Sequence, residues 1–512
     1  MSDSADYGGF DMGHLILEGF MSCLNIYSVL LMFLGVLVGI VFGAIPGLSG
    51  TLGIILFLPL TRSIDLMNSL IFLSCIFIGG EFGGSISAIL IGTPGTNSAV
   101  CTMMEGYPLA KKGHARKALM MALGASTVGG LLSACSLLFL APTLAKYTLE
   151  FGAPEFFAIA VFGLSIIASV SGKSIEKGIF AGAVGIILSL VGLDTVSGMP
   201  RFTFKNLTLY RGLELVALLT GLFALASIIE KVGESFKKDS MYQEEMKLHK
   251  TDKLSLGEFL RCKWNLLLGS IIGIVIGIVP GIGTGVASFL AYDTSKRFSK
   301  EPEKFGTGHL EGIAAVESSN NGVTAASLIP LLTLGLPGSP SAAVLVGAFT
   351  MNGLSVGPLL FKEHGILLYS LMTAIIIANI IMFIEGRTLS GLMAKITKVP
   401  NDVLVPLLMV VCAAGAVSVN NSGFDLMVFI IAGTIGYFLS LLKVPLVPIV
   451  IGFVLGNTMD SNLRKGLVMT GGNFLTFVTR PITFFILLIT ISFLVFSIIK
   501  EEIRKRKKYS KQ

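Results

Sequence analysis

The chain is a succession of long apolar runs separated by short polar joints. Runs rich in Leu, Ile, Val, Phe, Ala and Gly lie at about 26–45, 118–142, 156–171, 179–193, 214–229, 265–279, 366–384, 403–418, 424–442 and 482–499. A helix needs roughly 20 residues to cross a bilayer, so most of these runs span once their flanks are included. Shorter apolar pieces at 52–60, 66–79, 85–104, 322–336 and 340–351 are interrupted by Pro and Gly. They predict broken or re-entrant helices, which a membrane tolerates only where protein or a water-filled cavity satisfies the freed backbone groups. The expected fold is an all-α polytopic membrane protein.

Polar segments divide this pattern. A short N-terminal segment, 1–25, precedes a first transmembrane half at 26–229. A polar stretch at 230–263 carries eight Lys/Arg and seven Asp/Glu and reads as a linker or surface helix. A second half covers 264–499, opening on the sole Trp, Trp264, where an interfacial aromatic is expected. The tail, 500–512, holds seven basic residues against Glu501 and Glu502. By the positive-inside rule it stays cytoplasmic.

The halves share motifs. Gly39-Ile-Val-Phe-Gly-Ala-Ile-Pro-Gly47 matches Gly273-Ile-Val-Ile-Gly-Ile-Val-Pro-Gly281 at six of nine positions. About 50 residues further on, Gly92-Thr-Pro-Gly-Thr-Asn-Ser-Ala99 matches Gly335-Leu-Pro-Gly-Ser-Pro-Ser-Ala342. Two matches in the same order imply an internal duplication. In the first half the basic loop follows the second motif (Lys111, Lys112, Arg116, Lys117); in the second half it follows the first (Lys296, Arg297, Lys300, Lys304). The swap predicts repeats inverted across the membrane, a layout found in secondary transporters.

Composition supports this reading. Of 512 residues, 53% are hydrophobic and 13% charged, about half the charge of a soluble domain. A soluble enzyme and a secreted disulfide scaffold are excluded as the main body. The net charge of +7 is concentrated in the tail, and no basic domain accompanies it, so nucleic acid is not an expected partner. The six Cys form no CxxC pair and read as small buried hydrophobes. The acidic N-terminus lacks the basic start of a secretory signal.

The chemistry concentrates at the Pro-Gly breaks. Pro ends or kinks a helix and Gly frees the turn. A half-helix that starts there offers free N–H groups and the positive end of its dipole to an anion such as a carboxylate. The candidate substrate residues are Pro46, Gly47, Ser49 and Thr51; Pro94, Gly95, Thr96 and Asn97; Pro280, Gly281, Gly283 and Thr284; and Pro337, Gly338, Ser339 and Ser341. Such a site holds an anion with dipoles and hydroxyls and keeps Lys and Arg in the loops. A separate polar cluster, Glu317, Asn320 and Asn321, with Glu81 as its first-half counterpart, suits Na⁺ or a proton. Helix caps or an interfacial face are the structural alternative for that cluster.

Other chemistries fail. Gly172-Lys-Ser174 lacks the earlier glycine of a Walker A loop, since that position is Ile167. There is no HExxH, and the five His are dispersed, so neither a resident metal nor a cofactor is expected.

Gly43-Ala-Ile-Pro-Gly-Leu-Ser-Gly50, Gly106-Tyr-Pro-Leu-Ala-Lys-Lys-Gly113, Gly277-Ile-Val-Pro-Gly-Ile-Gly283, Glu311-Gly-Ile-Ala-Ala-Val-Glu-Ser-Ser-Asn-Asn321 and Leu334-Gly-Leu-Pro-Gly-Ser339 together resemble the large membrane subunit of tripartite tricarboxylate transporters, the TctA family. The resemblance covers roughly 25–495. It departs from the family pattern at Glu105-Gly-Tyr-Pro108, where the family has Asp, and at Val316-Glu-Ser318, where it has Pro. It implies a multi-pass permease of a prokaryotic inner membrane, working with a small four-helix membrane subunit and an extracytoplasmic solute-binding protein. Carboxylate uptake would be driven by a cation gradient. Two other functions compete with this symport: an intramembrane enzyme, for which the sequence offers no nucleophile–base pair, and a passive anion channel.

Overall fold

The computed structural model describes residues 12–46, 48–165, 175–194, 196–235, 252–396, 401–418 and 420–509. Gly47, Gly172-Lys-Ser174 and residues 236–251 of the polar linker lie outside the described residues.

The N-terminal segment forms α1 (Met12–Cys23), and the first half opens with α2 (Ile26–Ala44), α3 (Gly50–Phe57), α4 (Leu66–Ile91), α5 (Ala99–Leu109) and α6 (Ala115–Thr148). It continues with α7 (Ala153–Ser165), α8 (Ile175–Ser189) and α9 (Leu215–Leu219), which runs through a π turn into α10 (Ala226–Ser235). The end of the linker forms α11 (Leu256–Arg261), and the second half follows with α12 (Lys263–Ile278), α13 (Gly283–Phe298), α14 (Leu310–Ala326), α15 (Leu328–Leu334), α16 (Pro340–Met351), α17 (Leu359–Glu363) and α18 (Gly365–Ile396). The chain ends with α19 (Asn401–Ser418), α20 (Gly423–Leu441), α21 (Val447–Met469), α22 (Phe474–Val478) and α23 (Pro481–Tyr509). Among the described residues the strands are β1 (Gly192–Leu193) and β2 (Pro200–Arg201), paired antiparallel. Six helical stretches there are long and apolar enough to cross a membrane. The protein is an all-α polytopic membrane protein, as the apolar runs predict.

The first break lies where expected in each half. In the second half, α12 and α13 form a hairpin that returns to its own side, because Asn265 on α12 donates to Ser295 near the end of α13 at 2.7 Å. In the first half the chain likewise comes back after α3, and Ser28 on α2 donates to Asn68 at the start of α4 at 2.6 Å.

One expectation is overturned. The pieces at 66–79 and 85–104 are not separated at Gly79-Gly-Glu-Phe-Gly-Gly84. Helix α4 runs unbroken through this segment, from its Asp65 cap to Gly92 in the left-handed conformation. The glycines admit neighbours instead. A Cβ on Gly79 or Gly83 would strike the carbonyls of Val36 or Ile40 on α2, and one on Gly80 would strike Gly50. Close backbone approach through small residues is how membrane helices pack. Helices α12 and α14 pack in the same way, with Gly269 and Gly273 against the carbonyls of Ala315 and Ser319.

Candidate functional site

The second break is built alike in both halves. Gly92 and Gly335 end their helices at φ 65° and 73°. The chain then doubles back, so that Gly95 N–H donates to Gly84 O at 3.3 Å and Gly338 N–H donates to Ser327 O at 3.2 Å. Each returning glycine lands on the first break of its own half. A Cβ on Gly338 would lie 2.6 Å from Gly277 O, and one on Gly95 would overlap Gly43 O.

The halves then interlock. Thr51, on α3, shares a 2.7 Å hydrogen bond with Ser341 on α16. Asn97 packs against Gly285 at the start of α13, within 3.8 Å of where a Cβ would sit. Gly283 faces the Pro340 ring. Four breaks from distant sequence positions thus form one continuous cluster. Pro280, Gly281 and Pro337 are buried within it, Pro94 is half-buried, and Asn97 is exposed.

The four half-helix starts differ. Ser49 accepts from Leu52 N–H at 3.2 Å and Ser339 accepts from Ala342 N–H at 3.1 Å, so α3 and α16 are capped by their own side chains. Ser339 also bonds Ser327 at 3.1 Å. Helices α5 and α13 have no side-chain cap. There the hydroxyls turn elsewhere: Ser98 donates to Glu81 Oε2 at 3.3 Å, and Thr284 lies near the same carboxylate. Thr96 bonds Ser98 at 3.0 Å. The Asn320 amide donates to the Glu81 carbonyl at 3.2 Å, leaving Asn320 Oδ1 buried and unpartnered. Glu81 therefore sits beneath the two uncapped helix starts.

Glu317 lies in a neighbouring compartment and is fully buried. Its carboxylate accepts from Ser85 at 2.5 Å, from Ser126 at 2.8 Å and from Thr102. The donors come from α4, α6 and α5, whereas Glu317 is on α14. Asn321, one helical turn beyond Glu317, is fully buried with both amide atoms unpartnered. The expected counterparts are thus not equivalent. The contacts that match Gly39 on Ile76 with Gly273 on Ser319 place Glu81 level with Thr324, not with Glu317.

Several contributors were not anticipated from the sequence. Ser85, Thr102 and Ser126 are single hydroxyls in apolar helices, whereas Ser98 belongs to the polar flank of the Pro94-Gly95 break; the one available signal for Thr102 was its four-residue spacing from Ser98. Lys231 corrects the expectation that Lys and Arg stay in the loops. It is 6% exposed and donates to Pro46 O at 3.1 Å. Glu105 is also buried. It accepts from Tyr292 at 2.8 Å, Gly308 N–H at 2.8 Å, His309 N–H at 2.7 Å and Gly306 N–H, clamping the loop before α14.

A cavity of about 850 Å³ reaches Leu334 and Gly335 from elsewhere, bordered by Asp194, Arg201, Asn457 and Asp460. It lies by Thr148, at the far end of α6 from the basic loop where Lys112 donates to Thr307 O at 2.6 Å.

Paired broken helices meeting inside a helical membrane protein define a membrane transport protein. The sequence comparisons name the family. The tripartite tricarboxylate transporter TctA family matches residues 29–451, and the chain belongs to it. It is thus a large-subunit component of a tripartite carboxylate transport system, a kind that includes a binding protein and a small membrane subunit. It is 36% identical over 490 residues to an uncharacterized 52.8 kDa protein in the TAR-I ttuC' 3' region of Agrobacterium vitis, covering 96% of this chain and 97% of that one. It is 37% identical over 196 residues to an uncharacterized protein in the TAR-II ttuC' 3' region of the same organism, covering 38% of this chain and 81% of that one. No solved structure matches it.

Proposed function

We propose that the protein is the permease through which a small, tricarboxylate-like substrate crosses the inner membrane, drawn by a Na⁺ or H⁺ gradient. The observation that carries this reading is the convergence of the four Pro-Gly breaks, two from each half. A substrate carboxylate would sit at the uncapped starts of α5 and α13, beside Thr96, Asn97 and Thr284. The Ser49, Thr51, Ser339 and Ser341 side would hold the other pair of half-helices together and contribute hydroxyls. Glu81, Glu317, Asn320 and Asn321 would hold the coupling cation.

The two halves would work as inverted repeats that move against one another to alternate access. The matched hairpins and matched glycine contacts support this, as does the exchange of partners between first and second breaks across the halves. With the basic loops and tail cytoplasmic, the large cavity faces the extracytoplasmic side, where a solute-binding protein would deliver substrate. A small four-helix membrane subunit would complete the complex.

The test is uptake of labelled di- and tricarboxylates into proteoliposomes holding both membrane subunits, with binding protein added and Na⁺ or pH gradients imposed. Gradient-dependent accumulation is expected, and Asn321→Ala and Ser339→Ala should impair it. If both variants fold, insert and transport at wild-type rates, the site assignment fails. Flux that needs neither gradient nor binding protein would indicate a channel instead.

A further inference from the structure

Glu81 and Glu317 occupy successive rungs of one ladder. On α4, Glu81 and Ser85 are four residues apart; on α5, Ser98 and Thr102 are four apart; on α14, Glu317 and Asn320 are three apart. Such spacings stack side chains on one helix face, about 5.4 Å per turn along the axis. One rung gathers Glu81, Ser98, Thr284 and Asn320. The next gathers Glu317, Ser85, Thr102 and Ser126. Neither carboxylate has a Lys, Arg or His partner among the described residues.

The rungs are not equally complete. Glu317 is sealed and accepts three hydroxyl donors from three helices of the other half. Glu81 is 8% exposed, its bond to Ser98 is long, and the exposed Asn97 lies on the segment above it. The orphaned Asn320 Oδ1 adds a carbonyl oxygen with no partner on the Glu81 rung. A carboxylate plus an unpartnered carbonyl and nearby hydroxyls is a donor set for a small hard cation. Two helix N-termini also point at this rung, and they favour an anion. Glu81 now occupies the position a substrate carboxylate would need.

We propose that Glu81 is the electrostatic gate of the transporter. Its charge excludes the substrate carboxylate from the uncapped starts of α5 and α13 until a cation, Na⁺ or H⁺, neutralises it, so the cation must bind first. Of the two carboxylates assigned above to the coupling cation, Glu81 is the one that exchanges it during the cycle, whereas Glu317, sealed by three hydroxyl donors, braces the two halves. The groups facing Glu81 are Ser98 from α5, Thr284 from α13 and Asn320 from α14, with Glu317 one rung away and the Cys101 thiol beside α14. This order of binding rests on the carboxylate-permease reading above.

The test is equilibrium binding of labelled citrate to the purified full-length protein in detergent, across Na⁺ concentration at fixed pH and across pH without Na⁺. Citrate serves as the probe once gradient-driven uptake of it is established. In wild type, affinity should rise at least about tenfold as the effective cation is added, and the responding series identifies Na⁺ or H⁺. Glu81→Gln should bind citrate with less than about twofold dependence on either cation. Glu81→Asp, which restores the charge, should restore the dependence. Cation-dependent binding that persists in Glu81→Gln would overturn the proposal. So would wild-type citrate affinity that ignores both cations, a result that needs no variant to fold. If wild type neither accumulates nor binds any carboxylate, the permease reading fails instead, and the two failures are distinct.

Discussion

The buried carboxylate of Glu105 offers the sharpest test of the packing between the halves. Its two oxygens each accept two hydrogen bonds: Tyr292 Oη and Gly306 N–H on one, Gly308 and His309 N–H on the other. Glu105→Gln keeps the shape and replaces one oxygen with NH₂. With the NH₂ turned toward Tyr292, the hydroxyl can switch to accepting and the Gly306 N–H alone faces a donor; turned the other way, both the Gly308 and His309 N–H groups do. Each orphaned buried donor costs about 1–3 kcal/mol, so the milder orientation sets the loss at about 1–3 kcal/mol. A native fold is stable by only about 5–15 kcal/mol. The change should release the loop joining α13 to α14 before it melts the whole protein. Hydrogen exchange at Gly306, Gly308 and His309 should therefore accelerate in the detergent-solubilised variant, and its melting temperature should fall. Glu105→Asp keeps both oxygens but is one methylene shorter, and should lie between the two. Unchanged protection at these three amides in Glu105→Gln would refute the clamp.

Three further outcomes follow from the same packing. Gly95→Ala and Gly338→Ala should each cut uptake at least about tenfold by driving the two breaks of one half apart, whereas Gly257→Ala, where a Cβ meets nothing within 4 Å, should leave uptake and stability unchanged. Ser126→Ala removes a donor from the Glu317 carboxylate and should cost about 1.5–3 kcal/mol, read as a lower melting temperature; an unchanged melt would mean Glu317 does not brace the halves. Outside the membrane, Asp194 is held down to about 2 by the Ser197 amide and hydroxyl, the Val196 amide and Arg201. A lowered folded value means the carboxylate contributes stability above its unfolded value near 3.9 and loses it as pH falls through about 2. Protection factors of the amides in the 196–212 segment, taken relative to intrinsic exchange at each pH, should therefore fall as pH falls from about 4 to about 2, and Asp194→Asn should abolish that fall.

The breaks were legible because Pro and Gly punctuate a helix wherever they fall together, and the duplicated motif supplied a second copy against which to check each one. Glu317, Asn320 and Asn321 were legible because three polar side chains in an apolar run need a reason. Their partners were not, since a lone serine in a membrane helix bonds its own backbone as readily as a distant carboxylate, and only the packed structure distinguishes Ser126 on Glu317 from Ser270 on Leu266 O. Lys231 was hidden by its place at the edge of a charged stretch, where a solvated side chain is the ordinary outcome. The misread segment at Gly79–Gly84 has a more general cause: glycine does two jobs in this fold. At Gly92, Gly281 and Gly335 it takes a positive φ with Pro no more than two residues away, and the helix stops or turns. At Gly35, Gly39 and Gly43, at Gly79 and Gly83, and at Gly269, Gly273 and Gly277 it recurs every fourth residue with no Pro between, and the helix continues with a backbone laid against that face. Every-fourth-residue spacing lines one side of a helix, so it implies contact, whereas proximity to Pro implies a break. Gly79-Gly-Glu-Phe-Gly-Gly84 contains no Pro, and that distinction alone places it inside a continuous helix, with Glu81 carried on it beneath the two uncapped starts.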